Sequence, residues 1–170
     1  MRAAWFGVAF CLLVLGGCER APEWTTLTEY AASLKGRTHG QRRNALLAAQ
    51  KLHGVLLAPQ ATLSFNERVG QWVRSEGFVR APVSYGGVLV PAWGGGVCQT
   101  STTLYNAALL AGLEIVERHP HTIAPGYVPV GLDAAVAQGV ADLKIRNPSP
   151  FPVRVEFEAR GERLICRVRA

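Results

Sequence analysis

One cysteine in this chain stands where chemistry is to be expected. Cys98 follows Gly94, Gly95 and Gly96 and precedes a run of helix formers in the stretch GGGVCQTSTTLYN. Glycines let the backbone take positive φ and let other groups come close. At the junction of such a loop with a helix, exposed N–H groups and the helix dipole stabilise an anion, a thiolate included. The pattern points to Cys98 as a nucleophile, against the plainer reading of a small buried apolar residue. A thiol nucleophile needs a base, and the base needs a third group to hold it. The histidines are His39, His53, His119 and His121. His39 and His53 flank a helix-patterned segment and suit surface or core roles. His119 and His121 follow a strand-like run and would share one face of an extended chain, with Pro120 between them. Asp133 and Asp142 can each orient an imidazole. The order Cys, His, Asp is compatible with a triad, which geometry rather than order identifies. A rival use of Cys98, His119, His121 and Cys166 is a zinc site, although neither a CxxC pair nor an HExxH helix is present.

A chain of 170 residues can hold one domain with a core, and 49% hydrophobic against 18% charged residues describes a globular protein. The formal net charge is +6, and the charges are scattered. That favours anionic lipid or wall polymers, and the lack of a basic stripe interleaved with aromatics speaks against nucleic acid. The opening residues, MRAAWFGVAFCLLVLGGC, place Arg2 before an apolar run and small residues before Cys18. This is the layout of an export signal, too short for a comfortable membrane span. Leu15-Gly16-Gly17-Cys18 resembles the lipobox of bacterial lipoproteins. That resemblance implies a signal peptide over residues 1–17, lipidation of Cys18 and a membrane anchor at the cell envelope, inner or outer membrane being open. Cys98 and Cys166 are then the cysteines of the folded part, either joined in a disulfide or free.

Residues 18–38 read as a polar tether and residues 39–170 as the domain. Helical spacing of apolar residues runs from Gln41 to Leu57. Short strand-like runs follow at Thr62–Phe65, Val69–Val73 and Val83–Val90, with glycine punctuation. A central helix is expected from Ser101 to Ala111, with Thr100, Ser101 and Thr102 offering capping oxygens and Gly112 as a stop. Leu113–Val116, Tyr127–Val130 and Asp142–Asn147 read as extended. Val153–Phe157 and Leu164–Val168 alternate around Arg160-Gly161 as a hairpin. The expected class is α+β: a small mixed or antiparallel sheet, an N-terminal helix, and a central helix that starts just after the Gly-rich cysteine loop.

The blocks GGGVCQTSTTLYNAALLAGLEIVERHPHT at 94–122, YVPVGLDAAV at 127–136 and DLKIRNPSPFPV at 142–153 resemble the VanW family of bacterial envelope proteins. LSFNERVG at 63–70 and Gly86-Gly87 resemble its earlier blocks, so the likeness covers most of the chain after about Arg42. Thr122 stands where serine is expected, and Thr100 where valine or proline is more usual. The resemblance implies an L,D-transpeptidase-like acyl transfer on peptidoglycan stem peptides, with no cofactor or metal. Cys98 would attack the carbonyl after the third stem residue, D-alanine would leave, and an amine of a second stem would resolve the thioester into a 3–3 cross-link. Water as acceptor would give a carboxypeptidase. His121, in the ERxxH pattern, is the implied base and His119 the second choice, oriented by Asp142 or Asp133. The Cys98 amide with a neighbour in the Gly-rich loop would hold the oxyanion. Gly95, Gly96, Gln99, Thr100, Ser101, Tyr105, Asn106 and Tyr127 are the candidates for substrate contact. The alternative is a non-catalytic accessory module that binds wall peptides or a partner enzyme, linked to glycopeptide resistance.

Overall fold

The computed structural model describes residues 23–170. Its elements in chain order are β1 (Thr26–Ser33), α1 (His39–Leu52), β2 (Val55–Leu57), β3 (Thr62–Ser64), α2 (Phe65–Val69), a 3-10 turn (Arg74–Glu76), β4 (Arg80–Tyr85), β5 (Val88–Trp93), α3 (Val97–Leu110), β6 (Glu114–Glu117), β7 (Lys144–Arg146), β8 (Val153–Arg160) and β9 (Arg163–Arg169). The architecture is α+β, with antiparallel pairing in three small sheets: β1-β9-β8-β2, β3-β7-β6 and the β4-β5 hairpin. The signal sequence and Cys18 lie outside the described residues.

The alternation read at the C-terminal end becomes the β8–β9 hairpin. Val153, Val155 and Phe157 point inward from β8, and Leu164, Cys166 and Val168 from β9. Residues 26–33, taken as part of a tether, instead form β1 and pair along the whole of β9, from Thr26 with Arg169 to Ser33 with Arg163. The folded part therefore begins well before residue 39.

Helix α1 starts on a capping box: Thr38 Oγ1 accepts from Gln41 N at 3.2 Å, and Thr38 N donates to Gln41 Oε1 at 3.1 Å. A cap of this kind stabilises a helix by ~1 kcal/mol. The helix buries Ala45, Ala48, Ala49 and Leu52 and ends at Leu52, where His53 turns extended. The apolar run to Leu57, expected to continue the helix, is strand β2 on the edge of β8. Likewise Val69 closes helix α2, so the expected strand at 69–73 is absent. Residues 127–130 form turns and not a strand.

Helix α3 packs against α1, β1, β9 and β6 at the centre of the fold. Eleven of its fourteen residues are buried, among them Gln99, Thr100, Ser101, Thr102, Thr103 and Asn106. Leu104, like Phe65 and Leu52, is sealed from solvent, each such side chain being worth about 1.5–3 kcal/mol of burial.

Candidate active site

The cysteine loop is fixed by close backbone packing. Gly96 has φ 105°, and a Cβ there would lie 2.2 Å from Gln41 O. A Cβ on Gly95 would lie 2.5 Å from Ala81 O. Only glycine permits both approaches. Asn44 of α1, fully buried, donates to Gly95 O and Val79 O at 2.9 Å each and accepts from Val79 N. Gln41 Nε2 donates to Pro82 O at 2.9 Å. Thus α1 ties the glycine loop to the base of the β4–β5 hairpin.

Helix α3 begins at Val97, so Cys98 is the second residue of its first turn, earlier than the expected start at Ser101. The cap residue is Gly96 rather than a hydroxyl. The amides of Val97 and Gln99 are engaged with Gly94 O and Gly96 O. The amide of Cys98 has no acceptor among the described residues and belongs to the unpaired set of a helix N-terminus. The thiol donates to Val136 O at 3.4 Å, and both Cys98 and Cys166 are free. Cys166 is wholly buried on β9, opposite Phe157, and burial pushes its thiol far up.

The hydroxyls and amide of α3 turn out to hold a neighbouring segment. Ser101 Oγ donates to Ala134 O at 2.7 Å, Thr102 Oγ1 accepts from Ala134 N at 3.0 Å, and Asn106 Nδ2 donates to Leu132 O at 2.8 Å. Residues 132–136 are thereby laid along the helix with Asp133 between the clamped positions. Asp133, 3% exposed, accepts from His121 N at 2.6 Å and from Arg118 Nη2 at 2.9 Å. His121 Nδ1 and Asp133 Oδ2 are 2.7 Å apart. With Nδ1 on the carboxylate, Nε2 is the ring nitrogen left free, and Cys98, whose thiol donates to Val136 O, is near enough to act on the charge of the ring. Burial works to lower the His121 pKa, but the Cys98 sulfur and the Asp133 carboxylate outweigh it and raise the group above the ordinary histidine value. Burial works to raise the Asp133 carboxyl, and the His121 hydrogen bonds overcome it and hold the acid below its ordinary value.

His119 and Asp142 go elsewhere. His119 Nε2 contacts Glu117 Oε1 at 2.9 Å. Lys144 first, then His119, holds the Glu117 carboxyl down at about 2. Asp142 accepts from Ser64 Oγ at 2.5 Å and from Asn66 N at 2.9 Å, joining β7 to the start of α2. Neither reaches the cysteine. Among the described residues no three His, Cys, Asp or Glu side chains gather to hold a metal ion.

Cys98 and His121 open into a cleft of about 450 Å³. One wall is the β4–β5 hairpin with Tyr85, Leu89 and Trp93, and the other is the loop from Pro120 to Tyr127. The walls meet where Gly87 faces Ile123 closely enough that a Cβ would sit 2.9 Å from Ile123 Cδ1. Gly95, Gly96, Gln99 and Tyr127 line the cleft; Thr100, Ser101, Tyr105 and Asn106 do not. Thr100 Oγ1 donates to Ala45 O, and Gln99 Nε2 donates to Ser33 O, while Gln99 Oε1 has no partner among the described residues. Tyr105 lies under Arg118, whose Cζ is 5.5 Å from the ring centroid, and so braces the guanidinium that holds Asp133. Tyr127 Oη, kept protonated by burial, donates to Cys98 O at 3.3 Å. The sequence reading missed the hairpin as a wall, although its Gly86-Gly87 turn between apolar runs was a signal for it. It also missed Arg37, which sits in the supposed tether.

The fold and the cleft define an α+β domain that brings a thiol at a helix start into one cleft with an imidazole held by a carboxylate. The chain belongs to the VanW-like family: the family model described as VanW like protein matches residues 40–169. The uncharacterized protein YoaR of Bacillus subtilis (strain 168) is 37% identical over 139 residues, covering 82% of this chain and 45% of YoaR. The vancomycin B-type resistance protein VanW of Enterococcus faecalis (strain ATCC 700802 / V583) is 30% identical over 130 residues, covering 74% of this chain and 47% of that protein. The matched region is thus less than half the length of either relative. No solved structure matches the chain significantly.

Proposed function

We propose that this protein is a cysteine acyltransferase of the cell envelope, an L,D-transpeptidase-like enzyme acting on peptidoglycan stem peptides. The observation that carries the reading is the His121 ring fixed through Nδ1 on the buried Asp133 in the cleft that Cys98 also lines. The name of the Enterococcus faecalis relative, a vancomycin B-type resistance protein, supports a substrate in the cell wall. A lipid anchor at Cys18 would hold such a domain at its substrate.

In this reading His121 Nε2 takes the Cys98 proton as the sulfur attacks a peptide carbonyl. The unpaired Cys98 amide receives the oxyanion, a contact worth ~3 kcal/mol of barrier. The imidazolium returns its proton to the departing amine of D-alanine, leaving a thioester on Cys98. An amine of a second stem, deprotonated by His121, then attacks the thioester, and the sulfur leaves as the thiol. Asp133 keeps Nδ1 protonated and stabilises the imidazolium, while general acid–base help of this kind contributes roughly 10²–10⁴ in rate. The test is incubation of the purified protein with stem tetrapeptides and mass spectrometry of the products. Cross-linked or trimmed peptide made by the wild type and abolished in Cys98→Ala supports the enzyme. Stem binding without turnover would instead identify a non-catalytic accessory module.

A further inference from the structure

Within the cleft there is a cation without a counter-ion among the described residues. Of the residues that line it, Arg37 and His121 carry the basic groups, and none is Asp or Glu. His121 already has Asp133. Arg37 is half-buried, and among the described residues its guanidinium has no hydrogen-bond or ion-pair partner. Nearby Arg42, by contrast, pairs with Glu162 at 2.7 Å. A guanidinium partly withdrawn from water without a carboxylate is a donor fork awaiting an acceptor.

Its position is fixed from both sides. Arg37 N donates to Leu34 O at 3.2 Å, and Arg42 Nε donates to Arg37 O at 3.3 Å, just before the Thr38 cap of α1. The guanidinium lies over the face of Tyr127, with Cζ 4.4 Å from the ring centroid. The hydroxyl end of that ring bonds Cys98 O. Arg37 and Cys98 therefore meet one phenol ring, Arg37 over its face and the Cys98 backbone at its hydroxyl, and a carboxylate a few bonds from a carbonyl at Cys98 can reach the guanidinium.

We propose that Arg37 is the carboxylate-binding subsite of this cleft: it takes a carboxylate of the bound peptide in a charge-assisted fork and sets the carbonyl against Cys98. The proposal rests on the acyl-transfer reading for what happens at the sulfur, but the subsite requires only a peptide in the cleft. The source is either the free C-terminal carboxylate or an interior one.

Binding is measured by calorimetry on Cys98→Ala protein, so that turnover does not intervene. The probes are a stem tetrapeptide ending in D-alanine, the same peptide amidated at its C-terminus, and the same peptide amidated at its interior carboxylates. Arg37→Ala should weaken binding of the free acid roughly 10- to 100-fold. One of the two amidations should cost as much in the Arg37 protein and nothing further in Arg37→Ala, which names the carboxylate. Arg37→Lys, which keeps charge and stem, should recover part of the loss, and equal melting temperatures exclude a folding effect. The proposal is overturned if both amidations cost the same with and without Arg37, or if no form of the peptide binds. Arg37-dependent discrimination in a wild type without turnover would sink the acyltransferase and leave the subsite standing. Turnover indifferent to Arg37 would do the reverse.

Discussion

Replacing Asp133 by Asn probes the site and the fold together. The carboxylate accepts from His121 N at 2.6 Å, His121 Nδ1 at 2.7 Å and Arg118 Nη2 at 2.9 Å, and it is nearly sealed from water. Bonds to a charged group contribute about 1.5–3 kcal/mol each. The amide keeps one oxygen, so it can serve Arg118 or His121 but must turn its NH₂ toward the donors of the other. Losing one side, with Arg118 left half-buried and unneutralised, costs about 2–4 kcal/mol. In a domain of this size that lowers the melting temperature by roughly 10 °C. The pH dependence changes with a definite sign. Asp133, whose folded pKa is lowered, contributes stability that is present above its unfolded value and lost as pH falls through the folded one. His121, whose folded pKa is raised, contributes stability that is full below its unfolded value and lost as pH rises through the folded one. The pair therefore stabilises most between the unfolded values of about 3.9 and 6.5. In Asp133→Asn this window flattens, and the His121 pKa, left to burial and Cys98, falls. If the enzyme reading holds, kcat drops ~10³–10⁴ through loss of the correct tautomer. Urea melts across pH and NMR titration of the ring are the assays. A variant as stable as the wild type between pH 4 and 6.5, with an unmoved His121 titration, would refute the reasoning.

Gly96→Ala should cost about 3–5 kcal/mol, because the new Cβ meets Gln41 backbone in a positive-φ position; an unchanged urea midpoint would contradict this. Asn44→Ala should cost about 2–4 kcal/mol and speed hydrogen exchange at the Val79 amide, whose acceptor it removes. Asp142→Asn should destabilise by about 1–3 kcal/mol while leaving kcat/KM within a few-fold, since its partners are Ser64 and Asn66; a loss like that of Asp133→Asn would return it to the site. In native protein an alkylating agent should modify Cys98 and spare Cys166 until unfolding, as peptide mapping would reveal.

The cysteine loop was legible because three glycines before a cysteine have few purposes other than close packing and a turn into a helix. The choice between Asp133 and Asp142 was not. The two are alike in type and lie on the same side of His121 in sequence, and the decision is made by Ser101, Thr102 and Asn106 gripping residues 132–136. Those hydroxyls looked like caps or groove residues because a polar helix face usually meets water, whereas here its partners are backbone carbonyls and amides distant in sequence. The α+β class followed from the mixed periodicities. Strand β1 was hidden because it is an edge strand that buries little beyond Ala32, so no clean alternation marks it. Helix α1 was drawn too long because the apolar pattern runs on into β2, and Gly54 is where helix and strand divide.

The cleft is assembled from parts hung on the chain in different ways. The sulfur rides on a central helix whose polar side chains are nearly all committed inside the fold. The walls are a two-stranded hairpin and a loop that carry exposed Tyr85, Leu89 and Ile123. Substitutions along the rims can therefore reshape what enters without displacing the Cys98 sulfur. A change in α3, even a hydroxyl to a methyl, loosens residues 132–136 and moves the histidine's support. Variation in what the cleft admits is channelled to the hairpin tip and residues 120–127.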